Sequence, residues 1–135
     1  MASKTASRIN AGEYKIAMDG KQYTLSPSLA AFNRLAQLGA FDDVRDKIMR
    51  RDAGTISVVI RWGLGWKDDQ ARRLPELMYK TGLSALWEPC YRYFFALYHD
   101  GKTVEEVNEE LEARRSAGDE PSLGQDAEGN ELTGA

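Results

Sequence analysis

The sequence predicts an α+β fold, mostly α, in which an N-terminal β-hairpin packs on a bundle of about five helices. Three observations predict it. Around Asp19-Gly20, residues 13–25 alternate apolar with polar side chains, the period of a strand. From Leu29 onward, apolar residues instead recur at three and four, the period of a helix. The hydrophobic content of 42% in 135 residues is enough for a core, with no staple required.

The elements follow in order. In Glu13-Tyr-Lys-Ile-Ala-Met-Asp-Gly-Lys-Gln-Tyr-Thr-Leu25, Asp19-Gly20 tolerates positive φ at both centres of a type I′ turn. A two-residue loop sets Ile16 opposite Tyr23 and Tyr14 opposite Leu25 on one face, with Lys15 and Thr24 on the other. An isolated ribbon is marginal in water, so helices are expected to cover that face. Ser26-Pro27 reads as an N-cap and first helical residue. The helix over about 28–38 then has Leu29, Phe32 and Ala36 as its inward stripe and Gly39 as its stop. A second helix, about 41–51, carries Phe41, Val44 and Ile48 against a charged face and closes at Ala53-Gly54. Thr55 is placed to cap a third, about 56–65, with Ile56, Val59, Ile60 and Gly63 inward; its β-branched content leaves a strand as the alternative.

Asp68-Asp69 reads as an N-terminal cap pair, Pro75 starts or kinks a short helix, and Thr81-Gly82 is a stop. From Leu83 to His99 one stripe, Leu83, Leu86, Trp87, Cys90, Phe94, Leu97 and Tyr98, runs the length of the strongest helix, and Glu88 and Arg92 are spaced for an i,i+4 pair. Thr103-Val-Glu-Glu106 has the form of a capping box, followed by a thin stripe of Val104, Val107 and Leu111 that fades near Arg115. The domain is therefore expected over 13–115, between a disordered arm, 1–12, and a disordered acidic tail, 116–135. The arm adds two positive charges and the tail five negative ones; with a total of −3, the body is neutral. A neutral body and a pI near 5.2 argue against nucleic-acid binding. No run approaches the roughly 18 apolar residues of a membrane span, and a single cysteine with no signal-like leader points to a reducing cytoplasm.

Little in the chain resembles a reaction centre. His99, the single histidine, falls at a helix end where an imidazolium meets the dipole favourably, so a capping role outweighs catalysis. Cys90 lies on the apolar stripe as an inert thiol would, and one His with one Cys is too few for a structural zinc. The pairs Asp42-Asp43, Asp68-Asp69 and Glu105-Glu106 sit at helix N-termini, where the dipole explains them. Gly63-Leu-Gly65 lacks the other glycines of a dinucleotide loop, and no phosphate-binding GxxxxGK[ST] exists. No enzyme activity and no cofactor are expected. Four side chains stand off the inward stripes. Val58, Trp62 and Trp66 form a ridge beside that of the third helix, and Phe95 falls among Ser84, Glu88, Arg92 and His99. They are either packed within the domain or exposed anchors for a partner, and as anchors they form the candidate partner-binding site.

The GEYKIAMDGKQYTL hairpin, a Pro-capped helix, two amphipathic helices and then LPELMYKTGLSALWEPCYRYFFAL resemble the small tail assembly chaperone family of gene transfer agents and siphophage-like prophages. Members share a "GE…L.DG..YTL" hairpin and helices ending in a "GL…A" helix. The similarity covers about residues 12–99; Trp62, Trp66 and the Trp87-Glu-Pro-Cys90 segment are not among the residues that carry it. It implies a non-virion factor, without an active site, in the bacterial host cytoplasm. Such a factor keeps the tape measure protein soluble and helps deliver tail tube protein onto it, with a homo-oligomer possible. The alternatives from other classes are a virion structural protein of the tail, either tube or head–tail joining component, and a DNA-binding regulator using Arg50-Arg51 or Arg72-Arg73. Tube proteins close rings from many strands, whereas one hairpin is visible here.

Overall fold

The computed structural model describes residues 11–117. Strands β1 (Tyr14–Met18) and β2 (Lys21–Leu25) form the antiparallel hairpin, with Ile16 opposite Tyr23 and Tyr14 opposite Leu25. Asp19 and Gly20 have φ of 51° and 79°, the two positive values that a type I′ turn requires. Tyr14, Ile16, Met18 and Leu25 are buried, so one face of the ribbon is core. Helices follow: α1 (Leu29–Ala36), α2 (Phe41–Met49), α3 (Ala53–Leu64), α4 (Asp68–Ala71), α5 (Leu74–Thr81), α6 (Leu83–Leu97) and α7 (Val104–Ser116). The chain is thus α+β and mostly α.

β1 packs on α5 and α6, and β2 on α3. α3 also meets α1, α2, α5 and α6, so α3 and α6 form the centre of the bundle. The hairpin tip is fastened as well: the Asp19 N–H donates to Thr81 Oγ1 at 3.0 Å, and the Thr81 hydroxyl donates to the Leu77 carbonyl at 2.8 Å. At its other end Ser26 continues the strand into the bundle. Its N–H donates to the Gly63 carbonyl at 2.8 Å, and its carbonyl accepts the Tyr93 hydroxyl at 2.8 Å.

This use of Ser26 corrects the first helix. Ser28, not Ser26, is the N-cap, its hydroxyl accepting the Ala31 N–H at 3.0 Å. The inward residues are Ala31 and Leu35, while Leu29 is 75% and Phe32 38% exposed. Both sets have helical spacing. With Ser26 bound to α3 and α6, the entry direction of the chain selects which set turns inward.

The next boundary also moves. α2 ends at Met49, Arg51 takes a left-handed φ of 63°, and Asp52 caps α3 by accepting the Thr55 N–H at 3.0 Å and the Thr55 hydroxyl at 2.6 Å. Ala53-Gly54 therefore opens α3 rather than closing α2, and Thr55 supports the cap rather than forming it. α3 is a helix, with Ile56, Val59, Ile60 and Gly63 buried as expected and Gly65 ending it at φ 70°. At α4, Lys67 holds the cap position and Asp68-Asp69 the first turn. Pro75 lies in the first turn of α5, where a missing N–H is harmless.

α6 runs through Pro89, which leaves the Ala85 carbonyl without its usual helical donor. Its buried residues are Leu86, Cys90, Tyr93, Phe94 and Ala96, and the Arg92–Glu88 pair forms at 3.4 Å. Leu83, Trp87, Leu97 and Tyr98 are only half-buried. Tyr93, off the expected stripe, is fully buried because α6 is covered on more than one side.

Of the described residues, those up to Val104 belong to one compact unit and those from Glu105 to a second. Gly12, at the end of the expected arm, is buried beside Pro27 and Gly101. α7 buries none of its residues; Glu105 and Glu106 lie in its first turn and Arg114 and Arg115 in its last, matching the helix dipole. The remainder of the expected arm, residues 1–10, and most of the expected tail, 118–135, lie outside the described residues.

Candidate partner-binding surface

The site is built at the C-terminal end of α3. Gly65 in the left-handed region turns the chain out of the helix, so that the Trp66 N–H donates to the Arg61 carbonyl at 3.1 Å. Arg61 secures the same turn from its side chain. Nε donates to the Trp66 carbonyl at 3.2 Å, and Nη2 pairs with Asp68 at 2.7 Å. Trp62, on the last turn of α3, and Trp66, just past it, are thereby brought to one depression of about 480 Å³ whose walls include Ala30, Gly65 and Lys67.

Cations flank both indoles. Arg34, in the last turn of α1, lies over Trp62 at 4.6 Å, and Arg61 lies over it at 5.0 Å. Trp66 has the Tyr23 ring against it edge-on at 5.6 Å and the Arg73 guanidinium at 5.7 Å. Each indole is half-buried, with one part packed against the core. Val58, one turn earlier on α3, is also half-buried against the core.

Phe95 is placed differently. It stacks on His99 at 3.9 Å and meets Phe41 and Tyr91, each at 6.2 Å, in a cluster between α2 and α6. The structure thus joins Trp62 and Trp66 in one depression and gives Phe95 separate ring neighbours. A helical wheel assigns a single inward side, but α6 meets α2, α3, α5 and β1, and Phe41 of α2 stacks on Phe94 at 5.0 Å, right beside Phe95.

Other apolar surface was not singled out by the sequence. Tyr79 is 88% exposed on α5, opposite the buried Leu74, Leu77 and Met78. It borders an apolar groove of about 610 Å³ between the start of α3, α5 and the start of α6, with Gly54, Ser57, Pro75 and Leu83 among its walls. The Leu74, Leu77, Met78 spacing was the signal that turned Tyr79 outward. The groove had none, because small residues at the start of α3 become a wall only when α5 packs across from them.

The groups with reactive potential are held in structural roles. Cys90 is fully buried and burial pushes its thiol far up, away from the nucleophilic thiolate. His99 Nδ1 lies 2.8 Å from the Phe95 carbonyl. Because a carbonyl only accepts, Nδ1 carries the proton in this contact and caps the end of α6. Among the described residues no group of three or more His, Cys, Asp or Glu is placed to hold a metal ion, and no helix is long and apolar enough to cross a membrane. Comparison with protein-family models, with curated proteins and with solved structures finds no match to this chain.

Proposed function

We propose that the protein is a tail assembly chaperone of a tailed bacteriophage or phage-derived particle. It binds the tape measure protein in the host cytoplasm, keeps it soluble and assists addition of tail tube protein, acting by contact and without covalent chemistry. The reading rests on the resemblance of the hairpin and helices over residues 12–99. The observation that carries the binding role is the Trp62–Trp66 depression. Two indoles, each packed against the core on one part, are rigid, low-entropy surfaces on which an apolar client stripe loses water, and such aromatics dominate interface energies. A tape measure protein is long and helical, and helix-in-groove contact is the mode by which an apolar stripe is covered.

Co-expression with a tape measure protein from the same genome tests this. The expected result is a soluble complex that co-purifies, with this chain missing from purified particles by mass spectrometry. A tape measure that remains insoluble with the chaperone present would overturn the reading. Trp62→Phe, which keeps an aromatic body in the packed position, is expected to preserve folding and weaken capture.

A further inference from the structure

We infer that the Trp62–Trp66 depression selects an acidic protein segment, one whose apolar residues meet the indoles while its carboxylates meet Arg34, Lys67 and Arg73. This deepens the protein-binding reading above and rests on its surface, not on which client occupies it. Four cations border the depression or its indoles: Arg61 and Lys67 in its walls, Arg34 over Trp62 and Arg73 over Trp66. One is neutralised within the fold, Arg61 by Asp68 at 2.7 Å. Arg34, Lys67 and Arg73 are exposed, and among the described residues none has a carboxylate within ion-pair distance. Three uncompensated positive charges thus lie around two indoles in a chain whose total is −3.

Their arrangement suits carboxylates. With its guanidinium carbon 4.6 Å from the centre of the Trp62 ring, Arg34 is held against the indole, so less freedom is lost when a carboxylate binds its N–H groups. Arg73 over Trp66 repeats the arrangement on the other indole. A nucleic-acid strand fits less well. Its charge is continuous, and Asp68, with its side chain 85% exposed, lies in the wall of the depression and repels it. A peptide places its carboxylates singly and can leave that position neutral.

The test uses the full chain and fluorescence anisotropy with labelled helical peptides that share a leucine stripe and carry either a glutamate or a lysine polar face. The glutamate peptide is expected to bind about tenfold more tightly at low salt, as three solvent-exposed pairs imply, and the gap is expected to narrow as salt rises. The R34E/R73E double variant is expected to lose or invert the preference while its thermal unfolding stays close to that of the parent. If it unfolds, the R34Q/R73Q pair is expected to lose the preference in its place. Equal affinity for the two peptides, or a preference that survives the substitutions, would refute the inference. So would labelled oligothymidylate that binds more tightly than the glutamate peptide and is released by the same substitutions. A tape measure protein held in solution regardless of salt and of R34E/R73E would remove the charge selectivity and leave the chaperone reading standing. A glutamate-selective surface beside an insoluble tape measure would do the reverse.

Discussion

Gly63 and Gly54 lie on the same helix, and the same substitution at each is expected to change stability in opposite directions. At Gly63 a Cβ falls 2.8 Å from Leu25 Cδ2, 3.2 Å from Leu25 Cβ and 3.3 Å from Tyr93 Cε2. Leu25 and Tyr93 are fully buried, and Tyr93 is fixed by its hydrogen bond to Ser26, so neither has space to retreat. Overpacking of this kind costs about 1–3 kcal/mol. At Gly54 the nearest atom is Asp52 Oδ2 at 3.8 Å, ordinary contact. Alanine is favoured over glycine in a helix by up to about 1 kcal/mol, less near an end, and this gain applies to both sites. The difference between Gly63→Ala and Gly54→Ala therefore isolates the contact of the hairpin with α3. Gly54→Ala is expected to raise the denaturation midpoint, Gly63→Ala to lower it, and the two to differ by about 1–3 kcal/mol with unchanged m-values. A double-mutant cycle with Leu25→Ala is expected to show coupling, because the truncation removes the atom that the new methyl strikes. If Gly63→Ala is as stable as Gly54→Ala, or the cycle shows no coupling, β2 does not approach α3 as described.

Three further outcomes follow from single contacts. Tyr93→Phe removes the hydroxyl bonded to the Ser26 carbonyl and is expected to cost about 0.5–1.5 kcal/mol by denaturant titration, with the fold retained in far-UV circular dichroism. Cys90 is expected to resist a thiol reagent under native conditions and to react fully in denaturant; fast native labelling would show that α6 opens locally. Asp52, whose carboxyl is held below its ordinary value near 3.8 chiefly by the Thr55 hydroxyl and then by its N–H, stabilises the cap of α3 when ionised. That contribution is present above the unfolded value and is lost as pH falls through the folded one. Asp52→Asn is expected to flatten this part of the acid-side decline in thermal stability, and an unaltered profile would show that the cap does not contribute to it.

The sequence by itself determined the elements whose causes are local. The hairpin, its register and its turn follow from the alternation around Asp19-Gly20, because a period of two and a two-residue loop leave one consistent pairing. The inward stripe of α3 and the existence of α6 were legible for a similar reason, since each rests on a helical period unbroken over several turns. Tertiary structure decided what had two local solutions. In α1, Leu29-Phe32-Ala36 and Ala31-Leu35 are both helical stripes, and only the bonds that hold Ser26 to α3 and α6 choose between them. Tyr93 is core and Phe95 half-buried because α6 is enclosed from several directions, which no single-helix pattern encodes. Trp62 and Trp66 were separable from the inward stripe by spacing, but their shared depression and the cations around it come from α1, β2 and the α4–α5 segment. A helical period reports which side of one helix is apolar; which neighbours cover that side, and which charges they leave unpaired, is fixed only when distant segments meet.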